Sequence, residues 1–346
     1  MRSTTVLSGG LALAMLACTS APTGPDTPGT PSPAAPSFVL ASNTWTLKAP
    51  MPGYWSAGVS AGVAPDPAGR SIVYAFGGQD DQGGTTWPIQ AYDVATNTWT
   101  VKAQTTYRSR LNGVGRIGSR LYFSGGFQFH DEGSGYSAEL FAYDPAGDSL
   151  IRKRDMPQYT ADGVTGVIGG KLYVLPGICS PETDLPPSCQ NSPIRLLYRY
   201  DPATNAWTKL APSPHFHQYG ARGVINGKFY VAGGQKAYGG LVAALDRYDP
   251  ATNTWKTLAP VPMAGPLIGA ALGGKLYVIG RSGGVIRAYA YNPGTNTWQM
   301  RAAPKWDHDE LVQVTLDGRP RLLAVGGVHG PYEIVPIPND TELYTP

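Results

Sequence analysis

Five histidines, His130, His215, His217, His308 and His329, are the side chains of this 346-residue chain best suited to move a proton near neutral pH. Two of them stand in His215-Phe216-His217-Gln218-Tyr219, and another in Trp306-Asp307-His308-Asp309-Glu310. A His-x-His pair in an extended segment puts both rings on one side, as a metal or a substrate would require. A metal held by His215, His217, His308 or His329 with Asp307 or Asp309 needs a ligand from a distant segment. A metal-free site therefore ranks above it, and no cofactor is expected. Arg108, Arg110 and Arg281 suit a two-pronged grip on a carboxylate, or equally pairing with Asp and backbone carbonyls within the protein. His217, His308, Asp309 and Glu310 are candidate acids or bases. Trp55, Tyr159 and Tyr219 offer faces for a sugar or a peptide.

A repeat must position these residues. Tyr248-Asp249-Pro250-Ala251-Thr252-Asn253-Thr254-Trp255 recurs as Tyr92-Asp93 to Trp99, Tyr200-Asp201 to Trp207 and Tyr291-Asn292 to Trp298. A degenerate copy runs from Tyr143-Asp144-Pro145 to Leu150. Asp, Pro and Asn are turn formers, and aromatic or β-branched residues flank them, so each copy predicts a hairpin. In step with it runs a basic or polar residue, an apolar run and Gly-Gly, as in Lys228-Phe229-Tyr230-Val231-Ala232-Gly233-Gly234. The repeat parses into strands a to d, here 221–225, 228–232, 245–249 and 254–258, with Asn226-Gly227 as the a–b turn. No amphipathic helix interrupts the pattern, so the class is all-β. Four strands in about 45–55 residues, with Gly-Gly, Tyr and Trp at these places, resembles the kelch repeat from about residue 43 onward. That resemblance implies the blades of a β-propeller.

Asn43-Thr44-Trp45-Thr46-Leu47 is the second half of the hairpin motif, and Glu342-Leu343-Tyr344-Thr345-Pro346 is the first half. Joined, they make one blade with strands a to c from the carboxyl end and d from the amino end. The expectation is a six-bladed kelch β-propeller over 41–346 with no free sheet edge at the seam. Strand directions then put the d–a and b–c loops on one face and the tight a–b and c–d turns on the other. All five histidines fall in the first set of loops, as do Trp55, Arg108, Arg110, Tyr159, Tyr219, Arg281, Asp307, Asp309 and Glu310. A ligand site is expected there, around the mouth of the central channel.

Net charge is +3, with 27 Lys and Arg against 24 Asp and Glu, and no basic stripe, which argues against nucleic acid. Residues 1–18 resemble a bacterial lipoprotein signal, with Arg2, an apolar run too short to span a bilayer, and Cys18 as the acylated residue. Conventional cleavage after Ala17 or Ala21 is the alternative. The Pro-rich stretch within 19–40 predicts an extended spacer. The chain is thus expected to be exported, periplasmic or at the cell surface, lipid-anchored and monomeric. In an oxidising compartment, Cys179 and Cys189 are expected to pair as a loop disulfide.

The leading expectation is a module that binds a glycan or a protein at the channel mouth. The alternative is a carbohydrate-active enzyme like the six-bladed periplasmic kelch mutarotase of sialic acid, with an Arg for the substrate carboxylate. A copper oxidase like galactose oxidase ranks lower: it needs a Tyr–Cys cross-link, and the cysteines here sit together in one loop. A ubiquitin-ligase adaptor, familiar among animal kelch proteins, calls for a further interaction domain.

Overall fold

Two-residue turns set the register of the sheets. Asn226 and Gly227 both adopt left-handed backbone (φ 50° and 70°), as do Gly169-Gly170, Gly273-Gly274 and Asp317-Gly318. That geometry matches the twist of adjacent strands, so each pair closes a hairpin. From Asn226-Gly227, Ala221–Ile225 pairs with Lys228–Ala232, which pairs with Leu245–Asp249 and then Thr254–Leu258. These are the four strands expected from the sequence. The computed structural model describes residues 42–52, 58–66, 68–78, 87–106, 109–128, 135–178, 195–236, 240–327 and 339–346. All belong to the unit Leu40–Pro346. No α-helix occurs among them.

Six such four-stranded antiparallel sheets are present, here called blades 1 to 6 in the order of their innermost strands. Those strands are Val59–Pro65, Val114–Ile117, Val164–Ile168, Ala221–Ile225, Leu267–Leu272 and Glu310–Leu316. Each packs on the next and the sixth packs on the first, so they line one axis. The architecture is a six-bladed β-propeller. One apolar core fills each junction between blades; between blades 3 and 4, Val164, Tyr173 and Leu175 meet Phe229, Val231 and Tyr248. At the axis the blades approach closely. A Cβ on Gly166 would lie 2.7 Å from Phe229, and one on Gly223 would lie 2.8 Å from Leu276. A two-stranded ribbon, Phe127–Gln128 with Gly135–Tyr136, extends blade 2 on the b–c side and was not foreseen.

Blade 6 is the composite blade. Thr44–Met51 lies antiparallel to Asn339–Thr345, with Trp45 opposite Tyr344, beside Arg319–Val325 and Glu310–Leu316. The halves of the split motif therefore meet in one sheet, their rings 5.1 Å apart.

The turn motif also ties each blade to its predecessor. In blade 4 the Tyr248 hydroxyl donates to Asn253 Oδ1 (2.8 Å), which also accepts the Ala211 N–H of blade 3 (3.0 Å). Trp255 Nε1 donates to the Ala211 carbonyl (2.9 Å). One peptide neighbour is thus gripped at both its polar groups. Asn97 and Trp99 do the same to Ala49, Asn205 and Trp207 to Arg154, and Asn296 and Trp298 to Ala259. In the composite blade, Asn43 and Trp45 from the amino end hold Ala302, while Tyr344 from the carboxyl end donates to Asn43. Blade 2 keeps the acceptor, as Asp148, but Leu150 has no N–H to offer.

Asn253 is left-handed (φ 53°), which Asn tolerates better than Ala does. Asn253→Ala should cost about 2–4 kcal/mol, through two orphaned donors and a strained backbone. Asn253→Gly, which relieves only the strain, should recover about 1 kcal/mol of it. Guanidinium unfolding of the two variants reads this directly, and a loss below about 0.5 kcal/mol for Asn253→Ala would remove the clamp from the stability account.

Candidate functional site

Entry into the innermost strands builds a hydrogen-bonded collar. Arg110 N–H donates to the Gly58 carbonyl (2.9 Å), Asp162 to Arg110 (3.0 Å), Tyr219 to Asp162 (2.9 Å) and Leu267 to Tyr219 (2.9 Å). The chain of bonds runs from blade 1 to blade 5 through one main-chain link per junction. Turning a backbone so that its N–H faces one blade and its carbonyl the next calls for left-handed φ. Gly58, Arg110, Asp162 and Tyr219 all have it, at 78°, 54°, 57° and 57°. Three side-chain-bearing residues in that region point to a scaffold that holds them there. Between blades 6 and 1 a side chain takes over, since Asp309 Oδ2 accepts N–H groups from Val59 (3.2 Å) and Gly327 (3.0 Å).

The collar borders a cavity of about 570 Å³, lined from all six blades mainly by residues at the start of the innermost strands. Among the described residues its arginines are already paired with carboxylates. Arg110 Nε donates to Asp162 Oδ1 (2.9 Å), and Nη2 reaches Asp162 Oδ2 and the Tyr219 hydroxyl (2.7 Å). Gln218 Nε2 also donates to Asp162 (3.2 Å). Burial lowers the Arg110 guanidinium, but the bond and charge of Asp162 more than reverse this and raise it. Burial, with the Asp162 charge added, raises the Tyr219 phenol. Arg222 Nη2 crosses from blade 4 to Glu310 Oε2 of blade 6 (2.7 Å). Its guanidinium also lies against Gly113 of blade 2, where a Cβ would come within 2.9 Å of Arg222 Cζ. Arg281 Nε donates to Asp307 Oδ2 (2.5 Å), and Nη1 donates to the Gly284 carbonyl (2.7 Å).

The histidines divide differently from the expectation. His217 is fully buried, with Nδ1 on the Gly233 carbonyl (2.8 Å) and Nε2 on Asp246 (3.1 Å). His308 repeats the arrangement in blade 6, between the Gly326 carbonyl (3.1 Å) and Glu342 (2.9 Å). With both nitrogens engaged, these rings pin a loop to its own blade, and neither has a free lone pair for a metal or a substrate. His308 still borders the cavity; His217 does not. His215 places Nδ1 on the same Asp246 (2.9 Å), stays part-exposed, and like the half-buried Tyr159 lies away from the cavity. Trp55, Arg108 and His329 lie outside the described residues, as do Cys18, Cys179 and Cys189. Among the described residues no three His, Cys, Asp or Glu side chains gather as a metal centre. Of the sequence candidates, the structure brings Arg110, Tyr219, Arg281, Asp307, His308, Asp309 and Glu310 to the cavity. It adds Asp162 and Arg222, which sequence reasoning missed. Arg222 had one signal: a cation inside an innermost strand is tolerated only if it faces a channel or a partner.

Comparison with known proteins fits this geometry. The profile of the Kelch motif matches residues 160–214 and 223–262. Kelch-like protein 38 of Rattus norvegicus is 27% identical over 143 residues, 41% of this chain and 22% of that protein. Kelch-like protein terF of Aspergillus terreus is 25% identical over 230 residues, 62% of this chain and 49% of that protein. The solved structure of YjhT superposes with a TM-score of 0.63 at 18% identity, covering 85% of this chain and 94% of that one. The chain is a kelch-repeat β-propeller. It spans between about a fifth and a half of these two relatives' own length, so their whole-protein roles do not transfer with the fold.

In this kelch propeller the cavity offers hydrogen-bond donors and acceptors in fixed positions, and one carboxyl without a cationic partner. Burial pushes Asp309 up to about 7, against the pull of the Val59, Gly327 and Gly58 N–H groups. Asp309 thus lies closer to neutrality than an ordinary carboxyl, as a proton-exchanging group requires. Asp246 behaves oppositely. Burial raises it, but His217, Thr257 and His215 outweigh that and hold it at about 2. A folded value below the unfolded one means stability present above about pH 4 and lost as the pH falls toward 2. Asp246→Asn should therefore cost about 2 kcal/mol at pH 7 and flatten the decline between pH 4 and 2. Denaturant unfolding across that range measures it; parallel curves for variant and wild type would show that the carboxylate contributes nothing.

Proposed function

We propose that this kelch propeller is an exported binding module whose mouth takes a glycan or a protein ligand. Kelch propellers bind protein partners as a rule, and the observation that carries this reading is the cavity of about 570 Å³. It lies in the size range of small-ligand sites, every blade contributes to it, and the collar fixes its rim before a ligand arrives. Array screening against glycans and peptides tests the reading. Hits should be lost in Arg281→Ala, at the cavity, and kept in Lys256→Ala, on the exposed outermost strand of blade 4. Hits that both variants retain would move the site elsewhere.

A carbohydrate-active enzyme is the second reading, favoured by one observation: the Asp309 carboxyl stands at the cavity wall on backbone N–H groups, with burial raising it toward neutrality. An Arg clamp for an acidic substrate, as a mutarotase of the sialic-acid type would need, is opposed by the pairing of Arg110, Arg222 and Arg281 with carboxylates. Export and an acyl anchor at Cys18 complete the proposal, with the Pro-rich segment as spacer. Cys18→Ser should shift the protein from the membrane fraction to the soluble one; an unchanged membrane fraction would reject the anchor.

A further inference from the structure

Among the described residues, three arginines and four carboxyl groups line the cavity: Arg110, Arg222 and Arg281 against Asp162, Asp307, Asp309 and Glu310. Each arginine is hydrogen-bonded to one carboxylate: Arg110 to Asp162, Arg222 to Glu310 and Arg281 to Asp307. Asp309 is left over and takes backbone N–H groups instead. From this pairing we infer that the mouth selects neutral, polyhydroxylated ligands, uncharged sugars, over acidic ones. The inference rests on the mouth being the binding site.

The argument is one of complementary hydrogen bonding. A wall of paired guanidinium and carboxylate groups presents donors and acceptors side by side. A hydroxyl both donates and accepts, so a sugar bearing vicinal hydroxyls can satisfy both halves of a pair without separating them. A carboxylate on the ligand only accepts. To use an arginine here it must displace that arginine's carboxylate, and a displaced Glu310, almost fully buried, would lose its counter-charge and keep only the Leu311 N–H. A cation only donates and meets the mirror-image obstacle at the arginines. Among the described residues no unpaired arginine lines the cavity, so this wall offers an anion no net attraction, and an ionised Asp309 adds repulsion.

The test uses matched oligosaccharides identical except that the terminal residue is neutral or carries a carboxylate, titrated by calorimetry into the full chain. The neutral member should bind about tenfold or more tightly than its acidic twin. Asp307→Asn leaves the half-exposed Arg281 without its carboxylate and should move that ratio toward the acid by about tenfold. Because this pair is on the surface, the variant should fold, and its melting temperature checks that it does. Equal or tighter binding of the acidic member, or no binding of any neutral member, overturns the inference. Acid-preferring binding that Arg281→Ala abolishes would overturn the preference and leave the mouth as the site. Binding that Arg281→Ala leaves intact would instead overturn the mouth reading.

Discussion

A single peptide neighbour, seized at both its N–H and its carbonyl by an Asn and a Trp of the following blade, is the contact on which this ring depends. Apolar packing between sheets is non-directional and would tolerate a range of tilts. The clamp is directional: an Asn oxygen near 3 Å from one amide and an indole N–H near 3 Å from the same residue's carbonyl leave little freedom. Repeated from blade to blade, it constrains each sheet against its predecessor in the same way. The Trp that Leu150 replaces loosens one junction only, because Asp148 keeps the amide half. Basic residues opening the second strand add a lighter brace, as when Lys171 reaches Asp201 and Lys228 reaches Asp249 across their sheets.

This is why so much of the architecture was legible before any coordinates. Turn chemistry, Gly-Gly and Tyr–Trp spacing recur because every junction poses the same geometric problem, and repetition makes each copy corroborate the others. The seam was legible for the same reason, since Asn43 and Trp45 are the missing half of what Tyr344 begins. The mouth is different. Its position in each blade is constant but its residues are not: Gly58, Arg110, Asp162 and Tyr219 share a backbone conformation and no side-chain chemistry. No periodicity can expose them. His217 and His308 misled for a related reason, because a loop histidine that pins its own blade looks in sequence like one that faces a ligand. Only the distances to Asp246 and Glu342 separate the two roles.

Rigidity and neutrality at the mouth have a common origin. The collar commits main-chain groups to neighbouring blades, and the ion pairs commit side chains across them, Arg222 spanning two blades to reach Glu310. Both remove motion and charge that an incoming molecule would otherwise have to quench. What remains is a fixed pattern of donors and acceptors beside Asp309, a carboxyl held by backbone N–H groups.

The composite blade has a kinetic meaning as well. Tyr344 must find Asn43 at a sequence separation of 301. Contacts so distant in sequence form late, since the entropy of closing the loop is lost before the contact rewards it. Until Asn339–Thr345 is in place, Thr44–Met51 has no sheet to join, and the cores at both flanks of that gap stay open. The newly made polypeptide therefore passes through an arc with two sticky ends, a state that holdase chaperones and proteases can recognise and that the finished ring conceals.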